Sequence, residues 1–505
     1  MAKKNAWKRI MAVSCAAALL TGALAGCGSS KQSAIDPNNP VISVMTEAYN
    51  VESAGPDSPV MQKLEEYLGV KLDISWVPNS GYDEKVTAAM GSGEYPMVML
   101  LKTKNSSVIQ NTRAGTFWEI TDKIKEYPNL SKANPVVLNN TSIDGKLYGV
   151  YRGRTLGRNG ITIRKDWLKN VGMEEPKTID DLYNVLKAFK ENDPDKNGKD
   201  DTFGMIMTKA TSSFDNLAIW FGAPNKWGVG ADGTLQPAHL SDEYFEALKF
   251  VKKLYDDKLI NQDFATYEGA KWDEQFLSGK AGVIIDVADR ARRVAQNIAK
   301  TDSKADVGVI GYLKKDASAE PKTLPTTGHA GYFAFPKKAL PTEADLDFVL
   351  KMMDKANDQE AQNLMNYGIE GLTYTIDADG FAVVTEDTTL TKYFADLNQF
   401  SPGVVEYDNA LKKKYVSPVA KDIEVVQKDN ENYVVPNPAE AIVSDTYSRK
   451  GPQLDSIITS ANTKFIVGQL DEAGYKAELE RWKTQGGNEY VKEINEEYKK
   501  IEKNK

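Results

Sequence analysis

The stretch "PVISVMTEAYNVESAGPDSPVMQKLEEYLGVKLDISWVPNSGYDEKVTAAMGSGEYPMVMLL", residues 40–101, decides the fold. "PVISVMT" reads as a strand. "SPVMQKLEEYLG" places Val60, Met61, Leu64, Tyr67 and Leu68 on one helical face and stops at Gly69. "VKLDISWVP" alternates Val70, Leu72, Ile74 and Trp76 at period two. "YDEKVTAAMGSG" is a short helix and "YPMVMLL" a buried strand. Strand, helix, strand, helix, strand predicts an α/β protein with a largely parallel sheet and helices on both faces.

Outward from there, a second region of the same kind begins at "ITIRKDWL" (161–168). It holds the helices "IDDLYNVLKAFKEN" and "SDEYFEALKFVKKLYDDKL", the strand "AGVIID" (281–286) and the helix "ADRARRVAQNIAK". "AGYFAFPKK" (330–338) is a further apolar strand. The C-terminus is helical: Leu454, Ile457, Ile458, Ala461, Phe465 and Ile466 share a face, as do Tyr475, Leu479 and Trp482, then Val491, Ile494, Tyr498 and Ile501. Gly486-Gly487 separates the last two helices.

At the other end, Lys3, Lys4, Lys8 and Arg9 precede the uncharged run "IMAVSCAAALLTGALAG", which reads as an export signal over residues 1–26. The run ends in "LAGC" (24–27), which resembles a bacterial lipobox. By that resemblance Cys27 is the first mature residue and carries lipid, Cys15 is lost with the signal, and residues 27–39 form a polar tether. The processed chain, about 480 residues long, has no cysteine for a disulfide and folds on its cores alone. The four positive charges of the signal leave with it, taking the formal net charge from −8 to −12. Such an acidic chain is a poor partner for nucleic acid or anionic lipid.

Two motifs are candidates for chemistry. "DPDKNGKDD" (193–201) matches the first half of an EF-hand loop: Asp193, Asp195, Asn197 and Gly198 stand at positions one, three, five and six, and Asp201 at nine, but position twelve is Gly204 rather than Glu. "WGVGADG" (227–233) contains G-x-G-x-x-G without a strand before it or a helix after it, and reads as a turn. With two histidines, His239 and His329, and no free thiol, a nucleophile triad or His-rich zinc site is strained. Paired carboxylates have no local signature, so a glycoside hydrolase or lyase stays open.

The segments "DGKLYGV" (144–150), "IRKDWLKNVG" (163–172), "PKTIDDLYNVLKAFKENDPDKNGKDD" (176–201), "KLYDDKLINQDF" (253–264), "FLSGKAGV" (276–283), "YGIEGLTY" (367–374) and "RWKTQGGNEYVKEINEEYKK" (481–500) together resemble the large extracellular solute-binding lipoproteins of ABC importers, of the LplA-like and alginate-oligosaccharide-binding kind. The resemblance covers nearly the whole mature chain. It implies a two-lobed, type II periplasmic-binding-protein-like fold with discontinuous lobes: 40–160 with about 337–420, and 161–330 with about 421–505. Crossing strands are then expected near "GITIRKDW", near "GHAGYFAFP" and within 400–440. It also implies an oligosaccharide ligand in the cleft, permease subunits as partners, a monomer anchored on the extracellular face of the membrane, and no catalysis. In the loop 193–204 it implies a structural Ca²⁺ held by Asp193, Asp195, Asn197 and Asp201 side chains and the Lys199 carbonyl.

Sugar rings stack on aromatic planes and bond polar side chains at their rims. The aromatic candidates near loop–strand junctions are Trp118, Tyr151, Trp220, Trp227, Trp272, Tyr332, Tyr367 and Tyr374; Trp76, Trp167 and Trp482 sit on core faces. "YRGRTLGR" (151–158) adds Arg152, Arg154 and Arg158, suited to the carboxylates of an acidic saccharide, and Asp286 and Glu370 complete the set. A lipid-anchored hydrolase or lyase, and a binder of peptides or another small solute, are the alternatives.

Overall fold

The structure is a computed structural model. It describes residues 32–209, 211–267, 271–404, 409–415 and 417–503; the signal and Cys27 lie outside these. In chain order the strands are β1 (Val41–Ala48), β2 (Lys71–Pro78), β3 (Val98–Leu101), β4 (Gly149–Gly153), β5 (Asn159–Arg164), β6 (Phe203–Ile206), β7 (Trp227–Val229), β8 (Leu235–Pro237), β9 (Ala281–Val287), β10 (Val307–Ile310), β11 (His329–Ala334), β12 (Tyr374–Ile376) and β13 (Ala382–Val384). The first sheet has the order β2-β1-β3-β11-β4 and the second β10-β5-β9-β6. β1 runs parallel to β2 and β3, and β11 returns antiparallel between β3 and β4.

The helix Pro59–Leu68 between β1 and β2 forms as its sequence dictates. Ser58 caps it by accepting from the amides of Val60 and Met61, Pro59 opens it, and Gly69 closes it at φ 76°. A cap of this kind contributes about 1 kcal/mol. In the second sheet β9 reads "AGVIIDV" with hardly a break because both faces are covered. Val283 and Ile285 enter a core with Ile161, Trp167, Phe189 and Leu248; Ala281 and Ile284 enter another with Ile206, Val294 and Ile298. The G-x-G-x-x-G stretch is a hairpin, β7 pairing antiparallel with β8, and Gly233 sits at φ 77°.

The chain leaves the first sheet after β4 and enters the second at β5, so the first crossing is residues 154–158. It returns between β10 and β11, residues 311–328. β11 belongs to the first sheet, which therefore resumes at His329 rather than near 337. Past Val404 the chain goes over again, and the helix Pro418–Asn430 packs on β10 and on the helix Asp289–Ile298. The crossings are laced together. Arg154 N donates to Gly328 O at 2.9 Å and Thr326 N to Leu156 O at 2.9 Å. Asn430, buried, donates its side-chain amide to Gly157 O (2.9 Å) and Asn159 O (2.7 Å), and its carbonyl accepts from the Thr323 hydroxyl at 2.8 Å. One residue of the third passage thus ties the other two. Gly157 permits this approach, since a Cβ there would lie 2.4 Å from Gln427 O.

The last helix, Asn488–Lys503, holds the β7–β8 hairpin through Asn495, which accepts from Leu235 N and donates to Leu235 O. Its end reaches the first lobe, where Gly145 faces Ile501. The tether expected to run to residue 39 is already docked at Ser33–Ile35: Ile35 is buried in the first core. No helix among the described residues is long and apolar enough to cross a membrane.

Candidate ligand site at the lobe junction

Two cavities flank the laced crossings, and no residue lines both. The first, about 520 Å³, is walled by Leu324–Thr327 of the second crossing, by Asn140 of the first lobe, and by helices of the second lobe. Its lining is aromatic. Tyr447 and Tyr490 stack with centroids 4.7 Å apart, Trp227 meets Tyr490 edge-on at 5.1 Å, and Trp482 meets His239 edge-on at 4.4 Å. Trp482 reaches this position only because residue 487 is glycine: a Cβ there would sit 2.3 Å from the indole. Tyr447 is the exposed ring of the group, at 38%, and its hydroxyl donates to Asp455 at 2.7 Å. Tyr244 accepts from the Asn462 amide at 2.8 Å.

Two lining side chains keep buried polar atoms with no partner among the described residues: Asn140 Oδ1 from the first lobe and His239 Nε2 from the second. Buried polar atoms are nearly always paired, so these two are places for a hydroxyl or amide from outside. Burial lowers the His239 pKa to about 4, which keeps the ring neutral. Burial raises the Asp215 pKa to about 6, against the opposing pull of the Thr211 hydroxyl and Lys226.

The second cavity, about 470 Å³, is lined by Gly153–Leu156 and Gly328 of the crossings and by six cationic side chains, Arg154, Arg292, Lys412, Lys413, Lys414 and Lys428. Lys412 pairs with Glu424 and Lys414 with Asp377 at 3.0 Å. Arg292, Lys413 and Lys428 are exposed and have no carboxylate within 4 Å among the described residues. They come from three separate segments of the chain.

Of the expected ligand residues, Trp227 lines the first cavity and Tyr151 and Arg154 the second; Arg154 and Tyr367 also border a small cleft of about 110 Å³. Tyr151 is itself buried, its hydroxyl accepting from Asn134 N and donating to Val404 O, and burial pushes its pKa up to about 12. The others are placed elsewhere. Arg152 is sealed in an ion pair with Glu47, which Lys102 approaches at 3.2 Å. Arg158 pairs with Asp289 at 2.6 Å. Trp220 and Tyr332 are buried in the cores; Trp272 is buried too, donating to Ile206 O with Arg290 over its ring. Asp286 is held by Arg290. Trp118 donates to Leu340 O beside the first core. Tyr374 packs against Tyr367 in a small cluster by the β12–β13 hairpin, and Glu370 is exposed next to it. Trp482, expected only in a core, lines the first cavity.

This two-lobed arrangement recurs in solved proteins. The Streptococcus pneumoniae ABC-transporter substrate-binding protein FusA in complex with kestose superposes with a TM-score of 0.62 at 20% identity, over 92% of this chain and all of that one. The family described as bacterial extracellular solute-binding protein matches residues 50–367. The chain belongs to that family. Two curated relatives from Bacillus subtilis (strain 168) align almost end to end with this solute-binding protein: Lipoprotein LipO, 41% identical over 97% of this chain and 98% of its own length, and the polygalacturonan/rhamnogalacturonan-binding protein YtcQ, 35% identical over 98% and 99%.

The acidic loop of this family member lines neither cavity and lies beside the start of β9. The Asp193 carboxylate accepts from the amides of Asn197 and Gly198 at 3.0 Å each, and the Asn197 side-chain amide donates to Asp195 and Asp201. Lys280 pairs with Asp201 at 2.6 Å. Among the described residues no three metal-ligating side chains are gathered into one set. Burial, with Asp193 and Asp201 nearby, raises the Asp195 pKa. Position twelve cannot supply a side-chain ligand: Gly204 lies in β6, where a Cβ would meet Leu186 at 2.6 Å. The oxygen donors suit a hard cation, but only from the first nine positions of the loop.

Proposed function

We propose that this protein captures an oligosaccharide at the lobe junction and delivers it to an ABC importer permease, from a lipid anchor at Cys27 on the extracellular face of the membrane, without chemistry of its own. The observation that supports this best is the aromatic cavity. Its rings offer planes for sugar faces, and Asn140 and His239 offer buried polar atoms from opposite lobes. A ligand that bonds both holds the lobes together, which is the closed state a permease would read.

A second reading concerns charge. The basic cavity opens on the other side of the same crossings, and Arg154, Arg292, Lys413 and Lys428 suit the carboxylates of a uronic-acid saccharide. The test is a thermal-shift and calorimetry series on the protein lacking residues 1–27, with neutral and uronic-acid oligosaccharides. Binding without change in the saccharide on long incubation supports the importer reading. Cleavage would give the site to a hydrolase, with Asp215 as the acid whose raised pKa suits proton donation.

Asp193, Asp195, Asn197 and Asp201, with the Lys199 carbonyl, would hold Ca²⁺ as a staple for the second lobe once Lys280 yields Asp201. Calcium at millimolar concentration then raises the melting temperature by a few degrees, through ligand binding to the folded state alone. EDTA reverses it, and saccharide affinity is unchanged because the loop lines neither cavity.

A further inference from the structure

We propose that Ser33–Ile35 is a clip that fixes where the membrane tether leaves the body, so that the base of the first lobe stands against the lipid surface and the second lobe is carried away from it. This rests on the reading of Cys27 as the lipidated residue.

The clip is built around one carboxylate. Asp345 Oδ1 accepts from the Ser33 hydroxyl at 2.6 Å, Ala34 N at 3.0 Å and Ile35 N at 3.2 Å. Its Oδ2 accepts from Thr342 N at 3.1 Å and the Thr342 hydroxyl at 2.6 Å, closing the capping box of the helix Glu343–Lys355. Asp345 is 1% exposed and Ile35 6%. A buried carboxylate with five donors is not a surface contact that frays. Hydrogen bonds to a charged acceptor are the strong ones, and removing the acceptor leaves buried amides unpaired.

The clip sits at a particular end of the molecule. Chain from the clip enters β1 at Val41, and the helix Glu343–Lys355 follows β11, whose last residue Ala334 pairs with Gly149, the first of β4. The crossings leave from the opposite end of β4, at Gly153. The tether therefore emerges at the end of the first sheet's strands opposite the crossings.

Length makes this matter. Gly28 to Gln32 are the five residues between Cys27 and Ser33. At full extension this span covers about 20 Å. Were the chain free as far as Val41, it would reach about 50 Å, enough for the body to lie at any angle. Clipped, the base of the first lobe is confined to the membrane surface, and the second lobe is joined to that surface only through the first lobe.

The experiment uses the full-length lipoprotein in phosphatidylcholine–phosphatidylglycerol vesicles carrying an acceptor lipid dye. A donor dye is placed at the base of the first lobe (Lys71→Cys, the exposed residue paired with Val41) or at the far end of the second (Lys304→Cys). Energy transfer is expected to be strong from residue 71 and weak from 304. Asp345→Ala is expected to bring the two values together. Ten Gly/Ser residues inserted between Gln32 and Ser33 should do the same with the clip and fold untouched, which covers the case in which the Asp345 variant folds poorly. Equal transfer from both sites in the unaltered, lipidated protein overturns the clip alone. Absence of lipid on Cys27 by mass spectrometry overturns the anchor and the clip together.

Discussion

Five aromatic rings line the cavity on one side of the laced crossings, and six cationic side chains line the cavity on the other. The aromatic side is built mostly by one lobe, from helices that hold their rings by stacking and by hydroxyl bonds to Asp455 and Asn462. The basic side is assembled from the first crossing, the helix Asp289–Ile298, residues 412–415 and the helix Pro418–Asn430, and three of its six cations have no neighbouring carboxylate among the described residues. A pre-stacked aromatic wall gives affinity at little entropic cost. Exposed cations from several segments give selectivity for charge and a dependence on salt. The two sides thus offer a ligand different things, and each can be altered while the other is watched.

The largest effect is expected from the wall they share. Asn430→Ala removes the side-chain donor from Gly157 O, which is buried, and from Asn159 O, which is part-buried. The cost should be about 2–4 kcal/mol in denaturant unfolding. Binding should weaken for neutral and acidic saccharides alike. A variant that lost only one class would show that the crossings do not couple the two cavities.

On the aromatic side, Tyr447→Ala tests the platform without opening a core, since the ring is already part-exposed. Saccharide Kd should rise about 10- to 100-fold, or about 1.4–2.8 kcal/mol, with little change in melting temperature. Calorimetry that gave an unchanged Kd would move the ligand to the other cavity.

What the sequence could and could not foretell divides along the same line. The strands and helices of residues 40–101 were legible, because alternation, a Ser–Pro start and a glycine stop act locally. Arg154 was legible because "YRGRTLGR" precedes a crossing. Of the aromatic cavity only Trp227 was legible. Trp482 and Tyr490 stand on amphipathic helices whose apolar faces read as core, and a cavity wall demands the same periodicity as a core. Only close packing tells them apart: residue 487 had to be glycine for the indole to lie where it does. The converse error placed Trp220, Trp272 and Tyr332 among ligand residues, since a junction in sequence says nothing of depth below the surface. The basic cavity needed Arg292, Lys413 and Lys428 brought together from three distant segments, which no local pattern reveals.

On the basic side, Arg292→Ala combined with Lys413→Ala should lower affinity for a uronic-acid oligosaccharide by about 3- to 10-fold at low salt, because exposed ion pairs contribute about 0.2–1 kcal/mol each. Neutral saccharides should bind as before, and the loss should shrink at high ionic strength. A loss that fell equally on neutral sugars would mean that the two residues act on the fold rather than on charge.

The smallest effect separates the cavities by pH. The aromatic side contains Asp215, whose pKa burial raises to about 6 while Thr211 and Lys226 pull it down. An unfolded aspartate has released its proton by about pH 4. Between about pH 4 and 6 the folded protein therefore holds a proton that the unfolded chain has lost. Stability from this group is fully present below that window, falls as pH rises through it, and is gone above pH 6. Asp215 is only partly shielded from solvent, so a difference of about 1 kcal/mol is the reasonable expectation. Asp215→Asn should match the parent in melting temperature at pH 4, exceed it by a few degrees at pH 7, and flatten the slope between. A parent curve already flat from pH 4 to 7 would mean that Asp215 titrates as an ordinary carboxylate, and that water reaches the aromatic cavity as freely as it reaches the basic one.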